Sequence, residues 1–352
     1  MPEDTAAPRR RFGNRRTLIG GAATVLVIVA VFVFVLPRIA DYRDVWGVLQ
    51  DLGWREALVL AGVTVLNIVT FAPPWMVALP GIGFRRALVL SQASTALSMV
   101  TPAGAAVGMA GSYAMLRSWG FAPAPVGLAV AVTGIWNQLA NLFFPVAALI
   151  LLTGVDQDHP ALRTAAFVAL AVLVVFVGAF VLALSSPARA HRLGDVAARL
   201  VTRALLVFRR GPVGWGGVSF ARFRGRALGL LRRRWHVLTL ATLAGHLTVF
   251  LLLLACLRVV GVPAGEISWI QAFAAWSLVR ILGAIPLTPG GVGIVEVGLS
   301  GALVAFGTSN AEAVAATLLY RALTILPTLG LGMFAAATWR SHRPGNRLQS
   351  AG

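Results

Sequence analysis

Long apolar stretches alternate with short polar or arginine-bearing segments along the whole chain of 352 residues. Crossing the hydrocarbon core of a bilayer, about 30 Å thick, takes about 20 apolar residues. Six stretches reach that length with few or no charged residues. They predict six transmembrane helices, over residues 17–36, 57–79, 126–152, 164–184, 235–257 and 311–339.

Two further apolar stretches, residues 87–117 and 268–307, are each long enough for two helices but are split by a cluster of Pro and Gly. The charge pattern of the other loops requires each stretch to leave the membrane on the face where it entered. A re-entrant hairpin and a pair of full spans both meet this requirement. Irregular backbone at membrane depth is tolerated where it packs in protein or lines a watery cavity, which favours re-entry. The predicted fold is an all-α polytopic integral membrane protein with about six full spans plus two re-entrant helical hairpins.

Arginine residues set the predicted orientation. Residues 1–16 form a basic N-terminus, residues 340–352 a basic tail, and residues 185–234 hold twelve Arg against the single acid Asp195. Basic segments stay in the cytoplasm, so both termini and this Arg-rich loop are expected there, the loop as surface helices on anionic lipid. The Arg-rich start also resembles a secretory signal, but no small-residue cleavage site follows it. Residues 41–54 have the spacing of a short helix at the outer interface.

The two split stretches resemble each other. Thr101-Pro102-Ala103-Gly104 in the first matches Thr288-Pro289-Gly290-Gly291 in the second, where Pro286 lies just before the match. The first unit, about residues 57–153, runs inward span, hairpin, outward span, and the second, about 235–339, runs in the opposite sense. Interrupted helices at corresponding positions of inverted halves indicate a substrate site near the bilayer midplane.

Ionisable residues at membrane depth occur in the second unit, at Arg280, Glu296 and Arg321. Such charges are costly in hydrocarbon, so they usually face a cavity and are paired. One interpretation is an Arg–Glu pair that only holds helices together. The other is a headgroup site, because a guanidinium binds phosphate bidentately and the helix starts after the Pro-Gly turns direct backbone N–H groups at an anion. Glu296 would then balance an Arg in the empty site or meet a cationic or hydroxyl part of the headgroup.

Small residues around the second break complete the candidate site: Thr288, Gly290, Gly291 and Gly293. The glycines permit positive φ and a close approach of the backbone to a ligand. Tight helix packing is the equally weighted alternative. The first hairpin has only uncharged polar residues to offer, either for an asymmetric cavity or for helix–helix hydrogen bonds: Ser91, Gln92, Ser94, Thr95, Ser98 and Thr101, followed by Asn137, Gln138 and Asn141.

Composition narrows the function classes. Hydrophobic residues make up 58% and charged residues 12% of the chain, and the net charge of +18 reports topology and lipid contact rather than nucleic-acid binding. The single Cys256 offers neither a disulfide nor a cysteine-based metal site. The five His residues form no metal-ligand pattern, and neither a serine-hydrolase motif nor a P-loop is present. We therefore expect no enzyme activity, no cofactor and no metal.

The run Pro286-Leu287-Thr288-Pro289-Gly290-Gly291-Val292-Gly293-Ile294-Val295-Glu296, followed by Tyr320-Arg321, resembles the signature of the lysylphosphatidylglycerol synthase transmembrane-region family, or flippase-like domain proteins. The resemblance in layout runs from about Thr17 to Trp339. It implies a membrane domain that moves a modified or glycosylated lipid between leaflets. Only a short tail follows Trp339, so the soluble synthase domain of bifunctional members, and with it the synthase activity, is not implied.

Three functions are thus compatible with the sequence. The first is translocation of a modified or glycosylated anionic lipid between the leaflets of the cell membrane, with an anionic phospholipid or a lipid-linked glycan as the lipid partner. The second is a non-transporting partner or regulator of a lipid-modifying enzyme, and a homo-oligomer fits either. The third is a polyprenyl-phosphate-dependent glycosyltransferase, which needs an outer-loop acid such as Asp41 or Asp44 acting with a metal.

Overall fold

Helices make up all the regular structure in the part of the chain that the computed structural model describes, namely residues 52–101, 104–155, 160–207, 216–284 and 288–338 with positions 43, 46, 47, 50 and 211. The helices are α1 (Trp54–Thr70), α2 (Pro73–Ala78), α3 (Phe84–Val100), α4 (Gly104–Ser118), α5 (Pro123–Val155), α6 (Pro160–Ser185), α7 (Pro187–Val207), α8 (Gly217–Val259), α9 (Trp269–Ala284), α10 (Ile294–Ala305) and α11 (Asn310–Thr338). A 3-10 turn, Pro289–Gly291, separates α9 from α10. The all-α fold class is confirmed.

Five of the predicted spans coincide with helices that are long and apolar enough to cross a membrane: α1 with α2, α5, α6, α8 and α11. The first of these is broken at Phe71 and Ala72, directly before Pro73 at the start of α2. The first predicted span, residues 17–36, the basic tail and the residues Asp41 and Asp44 lie outside the described residues. The described part is therefore a multi-pass membrane protein.

Both split stretches form two helices with a break at the Pro/Gly cluster. In the first, α3 has 17 residues and α4 has 15, and in the second, α9 has 16 and α10 has 12. At 1.5 Å per residue these helices are about 18–26 Å long, shorter than the roughly 30 Å of hydrocarbon. The lengths favour re-entrant hairpins. The order of long helix, broken hairpin and long helix occurs twice, while the inverted orientation of the two units stays a prediction.

The Arg-rich loop differs from its prediction at its second half. Helix α8 begins at Gly217 and runs for 43 residues, so the last part of the loop continues the predicted span 235–257 as one helix instead of forming a separate surface helix. Asp195 of α7 accepts the backbone N–H of Gly217 at 2.8 Å, which satisfies a donor at the start of α8. Arg224 donates to the carbonyl oxygens of Leu184 and Ser185, the last residues of α6.

The two predicted units contact each other directly, because α11 packs along α3 and α8 packs along α1. Gly332 of α11 lies so close to α3 that a Cβ there would stand 2.2 Å from Cβ of Ala96. Gly290, in the second break, lies against the carbonyl of Met99 near the end of α3, where its Cβ would be 3.3 Å away. Small residues thus bring the two helix breaks together.

Candidate functional site

A cavity of about 360 Å³ lies between the two predicted units, beside both helix breaks. Its volume falls within the usual range of small-molecule sites. Residues of α1, α3, α5, α8, α9, α10 and α11 line it: Asn67, Phe71, Gln92, Thr95, Met99, Asn141, His246, Val249, Trp276, Val279, Arg280, Gly290, Val295, Leu299, Tyr320, Arg321, Thr324 and Thr328.

The second break is a glycine-dependent turn. Gly290, Gly291 and Gly293 have φ values of 63°, 65° and 90°, in the left-handed region that L side chains rarely adopt. The turn presents the carbonyl oxygen of Gly290 and the N–H of Gly293 to neighbouring side chains. The sequence therefore uses its glycines here for backbone conformation, and Gly290 also for its close approach to Met99.

Glu296 is buried in the first turn of α10 with 1% of its surface exposed. Its Oε2 accepts the N–H of Gly293 at 2.6 Å, so this carboxylate already occupies the start of α10. Its Oε1 accepts Nε of Arg321 at 2.7 Å. Arg321 also donates from Nη2 to the carbonyl of Gly290 at 2.8 Å. The ion pair expected as one interpretation of the sequence is present, and it attaches α11 to the turn.

Arg280, near the end of α9, has a different environment. Its Nη2 donates to Oδ1 of Asn141 and to Nδ1 of His246, both at 2.8 Å. Its guanidinium carbon lies 4.8 Å from the ring centroid of Trp276, a cation–π contact. Its Nε is buried without a hydrogen-bond partner. Among the described residues, no carboxylate lies within ion-pair distance of this guanidinium.

His246 is the site residue that the sequence did not reveal. A guanidinium can only donate, so Nδ1 of His246 is the acceptor and the neutral ring carries its proton on Nε2. That proton points to Oδ1 of Asn137, at 3.0 Å. The rings of Phe71 and Phe144 lie edge-on to the imidazole, each with its centroid 5.8 Å away. The histidine is thereby held in one orientation and in turn orients Arg280.

The uncharged residues of the first unit divide into two groups. Gln92, Thr95 and Asn141 line the cavity, with Oε1 of Gln92 buried and unpartnered. The other polar side chains of this segment bond to backbone carbonyls. Ser91, Ser98 and Thr101 bond three or four residues back in the same segment, to Leu88, Ser94 and Leu97, whereas Ser94 bonds to Gly108 and so joins α3 to α4.

Of the remaining predicted site residues, those that the structure describes are not part of the cavity lining, and two others lie outside the described part. Thr288 is buried and its hydroxyl has no hydrogen-bond partner, while Gly291 and Gly293 are buried inside the turn. Pro289 opens the 3-10 turn. Pro102 and Pro286 fall outside the described residues. Gly104 begins α4, where a Cβ would stand 1.8 Å from the backbone oxygen of Ser98.

Charge in the cavity lining is entirely positive. The charged residues of the lining, among those described, are Arg280 and Arg321. Of these two, Arg321 has a carboxylate partner and Arg280 has none that the structure describes. Within the described ranges, no group of three His, Cys, Asp or Glu residues is placed to hold a metal ion. The arrangement can therefore bind an anion by charge and hydrogen bonds, with uncharged amide and hydroxyl groups around it.

A sequence model of the family described as lysylphosphatidylglycerol synthase TM region matches residues 22–332. The match includes both hairpins, the Arg-rich loop and every residue that lines the cavity. A search of the curated proteins finds no match for this chain.

Proposed function

Because the chain belongs to the lysylphosphatidylglycerol synthase transmembrane-region family, we propose that it translocates a modified or glycosylated anionic lipid between the leaflets of the cell membrane. The family associates the chain with lipid modification or transport, and translocation is the step that we add. The distribution of Arg supports an orientation with both termini in the cytoplasm. Movement of a lipid breaks no covalent bond, so the proposal requires neither a cofactor nor a metal.

The observation that carries the proposal is Arg280. A charge at membrane depth is costly unless it is compensated, and Arg321 is compensated by Glu296 whereas Arg280 contacts only neutral groups among the described residues. Arg280 lines a cavity between two helix breaks, and its Nε is buried without a hydrogen-bond partner. Transporters with inverted repeats bind substrate between such breaks. A lipid phosphate supplies the missing negative charge there.

An apolar groove close to the cavity offers a place for a lipid tail. The groove has a volume of about 510 Å³ and lies between α3, α4 and the end of α11, on the side of α3 next to the cavity. On α3, Met99 lines the cavity and the next residue, Val100, lines the groove. On α11, Thr328 lines the cavity and the next residue, Leu329, lines the groove. We propose that the tail of a lipid whose headgroup is in the cavity lies in this groove, where its surroundings stay apolar.

The direct test is lipid exchange in proteoliposomes. Tail-labelled fluorescent phosphatidylglycerol in both leaflets is reduced by external dithionite, and the fraction bleached reports lipids that cross the bilayer. We expect bleaching beyond the outer half in vesicles with the protein and bleaching of only that half in empty ones. If vesicles with the protein and empty vesicles are bleached to the same extent for every lipid in a panel of anionic and glycosylated lipids, the result favours the non-transporting partner instead.

A further inference from the structure

We propose that the cavity selects lipids whose headgroup combines a phosphate with hydroxyl groups, as in a glycerol or sugar headgroup, and rejects headgroups that carry an ammonium group. The inference rests on the proposed lipid site and defines its substrate class. It also departs from the lysine-bearing lipid in the family's name. Three features of the lining lead to it.

The first feature is the sign of the charge. The lining contains Arg280 and Arg321 and no Asp or Glu among the described residues. A phosphatidylglycerol-like headgroup brings one negative charge, which Arg280 balances. A lysyl ester adds two ammonium groups to the same lipid, and these would lie beside a guanidinium in a site of low dielectric with no carboxylate to meet them.

The second feature is that Glu296, the nearest candidate for binding an ammonium, is unavailable. Its side chain is 2% exposed, and its two oxygens accept from Arg321 and from the backbone of Gly293. Because the carboxylate is buried, contact with an ammonium would require it to swing out of its site and away from both donors. That would expose an unpaired Arg321 and an unsatisfied helix start in the membrane.

The third feature concerns the aromatic residues. Ammonium groups are also bound by cages of aromatic faces, and Trp276 is the largest ring in the lining. Its face is already used by the guanidinium of Arg280, 4.8 Å from the ring centroid. Phe71 packs against His246 in a T-shaped pair, with the ring centroids 5.8 Å apart. Tyr320 is then the remaining aromatic residue among the described residues of the lining, and one ring does not form a cage.

Neutral amides supply the groups that a hydroxyl-bearing headgroup needs. Asn67, Gln92 and Asn141 all line the cavity, and each amide has both donors and acceptors. Oε1 of Gln92 is a buried acceptor without a partner, and a change of side-chain rotamer towards the cavity would let a headgroup hydroxyl donate to it. Asn67 donates from Nδ2 to Thr248 at 3.2 Å, which leaves further hydrogen-bonding capacity on its amide.

Binding can be measured apart from translocation. Detergent-solubilised protein is loaded with fluorescent phosphatidylglycerol, which is then displaced by unlabelled phosphatidylglycerol, lysylphosphatidylglycerol or phosphatidylethanolamine. We expect phosphatidylglycerol to displace the probe at a concentration at least about tenfold lower than either ammonium-bearing lipid. Equal or stronger displacement by lysylphosphatidylglycerol overturns the inference.

A charge variant of nearly unchanged shape sharpens the test. Asn141→Asp places a carboxylate 2.8 Å from Nη2 of Arg280 and neutralises the site, so the preference for phosphatidylglycerol should fall to about threefold or less. Asn310→Asp, the same change at an exposed position at the start of α11, should leave the preference intact. If Asn141→Asp does not fold, Gln92→Glu adds a carboxylate at another lining position and should have the same effect. Unchanged selectivity in a folded variant of either kind contradicts the inference.

The outcomes separate the inference from the proposed function. Selective binding without lipid exchange in vesicles supports the inference and contradicts translocation. Exchange of phosphatidylglycerol and lysylphosphatidylglycerol at equal rates, with equal displacement in detergent, supports translocation and overturns the inference.

Discussion

Nε of Arg321 donates to Oε1 of Glu296 across 2.7 Å, with the two side chains 12% and 2% exposed. The other carboxylate oxygen holds the N–H of Gly293, and Nη2 of Arg321 holds the carbonyl of Gly290. The pair therefore joins the last span to both ends of the glycine turn. It also leaves Arg280 as the cavity arginine whose charge no described carboxylate balances, and this difference between the two arginines underlies the proposed function.

Loss of Glu296 should destabilise the protein strongly. Glu296→Gln leaves the guanidinium of Arg321 buried without its counter-charge, which typically costs about 3–5 kcal/mol. The unfolding free energy of the purified protein in detergent, measured by denaturant titration, reports this. The matched change Glu312→Gln removes the charge of a half-buried acid at the start of α11, where its carboxylate accepts from Ser309, and should cost about 1 kcal/mol or less. Equal losses for the two variants would contradict a structural ion pair.

The turn should not tolerate a side chain at Gly293. Gly293→Ala forces alanine to φ 90°, at a cost of about 1–2 kcal/mol, and disturbs the N–H that Glu296 accepts. Gly301→Ala is the control, because this glycine lies within α10 with open space around it and alanine favours helix there. Thermal unfolding should show a lower midpoint for the first variant and an unchanged or higher one for the second. The reverse order would show that the turn does not have this conformation in solution.

For lipid binding, a hydrogen-bond acceptor at position 246 should matter more than the shape of an aromatic ring there. His246→Asn keeps an acceptor for Arg280, whereas His246→Phe keeps a ring between Phe71 and Phe144 but has none. We expect phosphatidylglycerol to bind the Asn variant within about threefold of wild type and the Phe variant at least about tenfold more weakly. Stability should follow the opposite order, because phenylalanine fills the apolar gap better. If the variant that is more stable also binds phosphatidylglycerol more tightly, His246 has a packing role alone.

The first helix break should depend on Gly104. A Cβ at Gly104 would stand 1.8 Å from the backbone oxygen of Ser98, so Gly104→Ala must push α3 and α4 apart. Gly127→Ala in α5 meets nothing within 4 Å and serves as the control. Protease protection of the reconstituted protein should decrease for Gly104→Ala and stay at the wild-type level for Gly127→Ala. Equal protection would show that the two helices do not pack this closely.

Local sequence patterns predicted most of the fold because its strongest signals are local. Twenty-residue apolar runs gave the five spans that the described residues contain, and the Pro289-Gly290-Gly291 cluster marked the break between α9 and α10. The start of α8 was not predicted, since Arg-rich segments indicate location in the cytoplasm but not where a helix begins. Gly217 begins that helix well before the apolar run.

The sequence predicted most clearly those site residues whose charge is unusual at their position in the chain. Arg280, Glu296 and Arg321 stand out as charges in apolar runs, and the structure places both arginines on one cavity with Glu296 behind Arg321. His246 and Asn141 contact Arg280 from 34 and 139 positions away in the chain. A lone histidine within an apolar helix has no spacing pattern, so tertiary packing alone reveals its role.

The most direct test of the account compares two arginine substitutions in the lipid-exchange assay. Arg280→Gln removes the unbalanced charge from the cavity, whereas Arg163→Gln removes an exposed arginine at the start of α6, away from it. At equal amounts of folded, reconstituted protein, we expect Arg163→Gln vesicles to exchange phosphatidylglycerol at the wild-type rate and Arg280→Gln vesicles at least about tenfold more slowly. Exchange by Arg280→Gln at the wild-type rate would contradict the claim that this guanidinium binds the lipid phosphate.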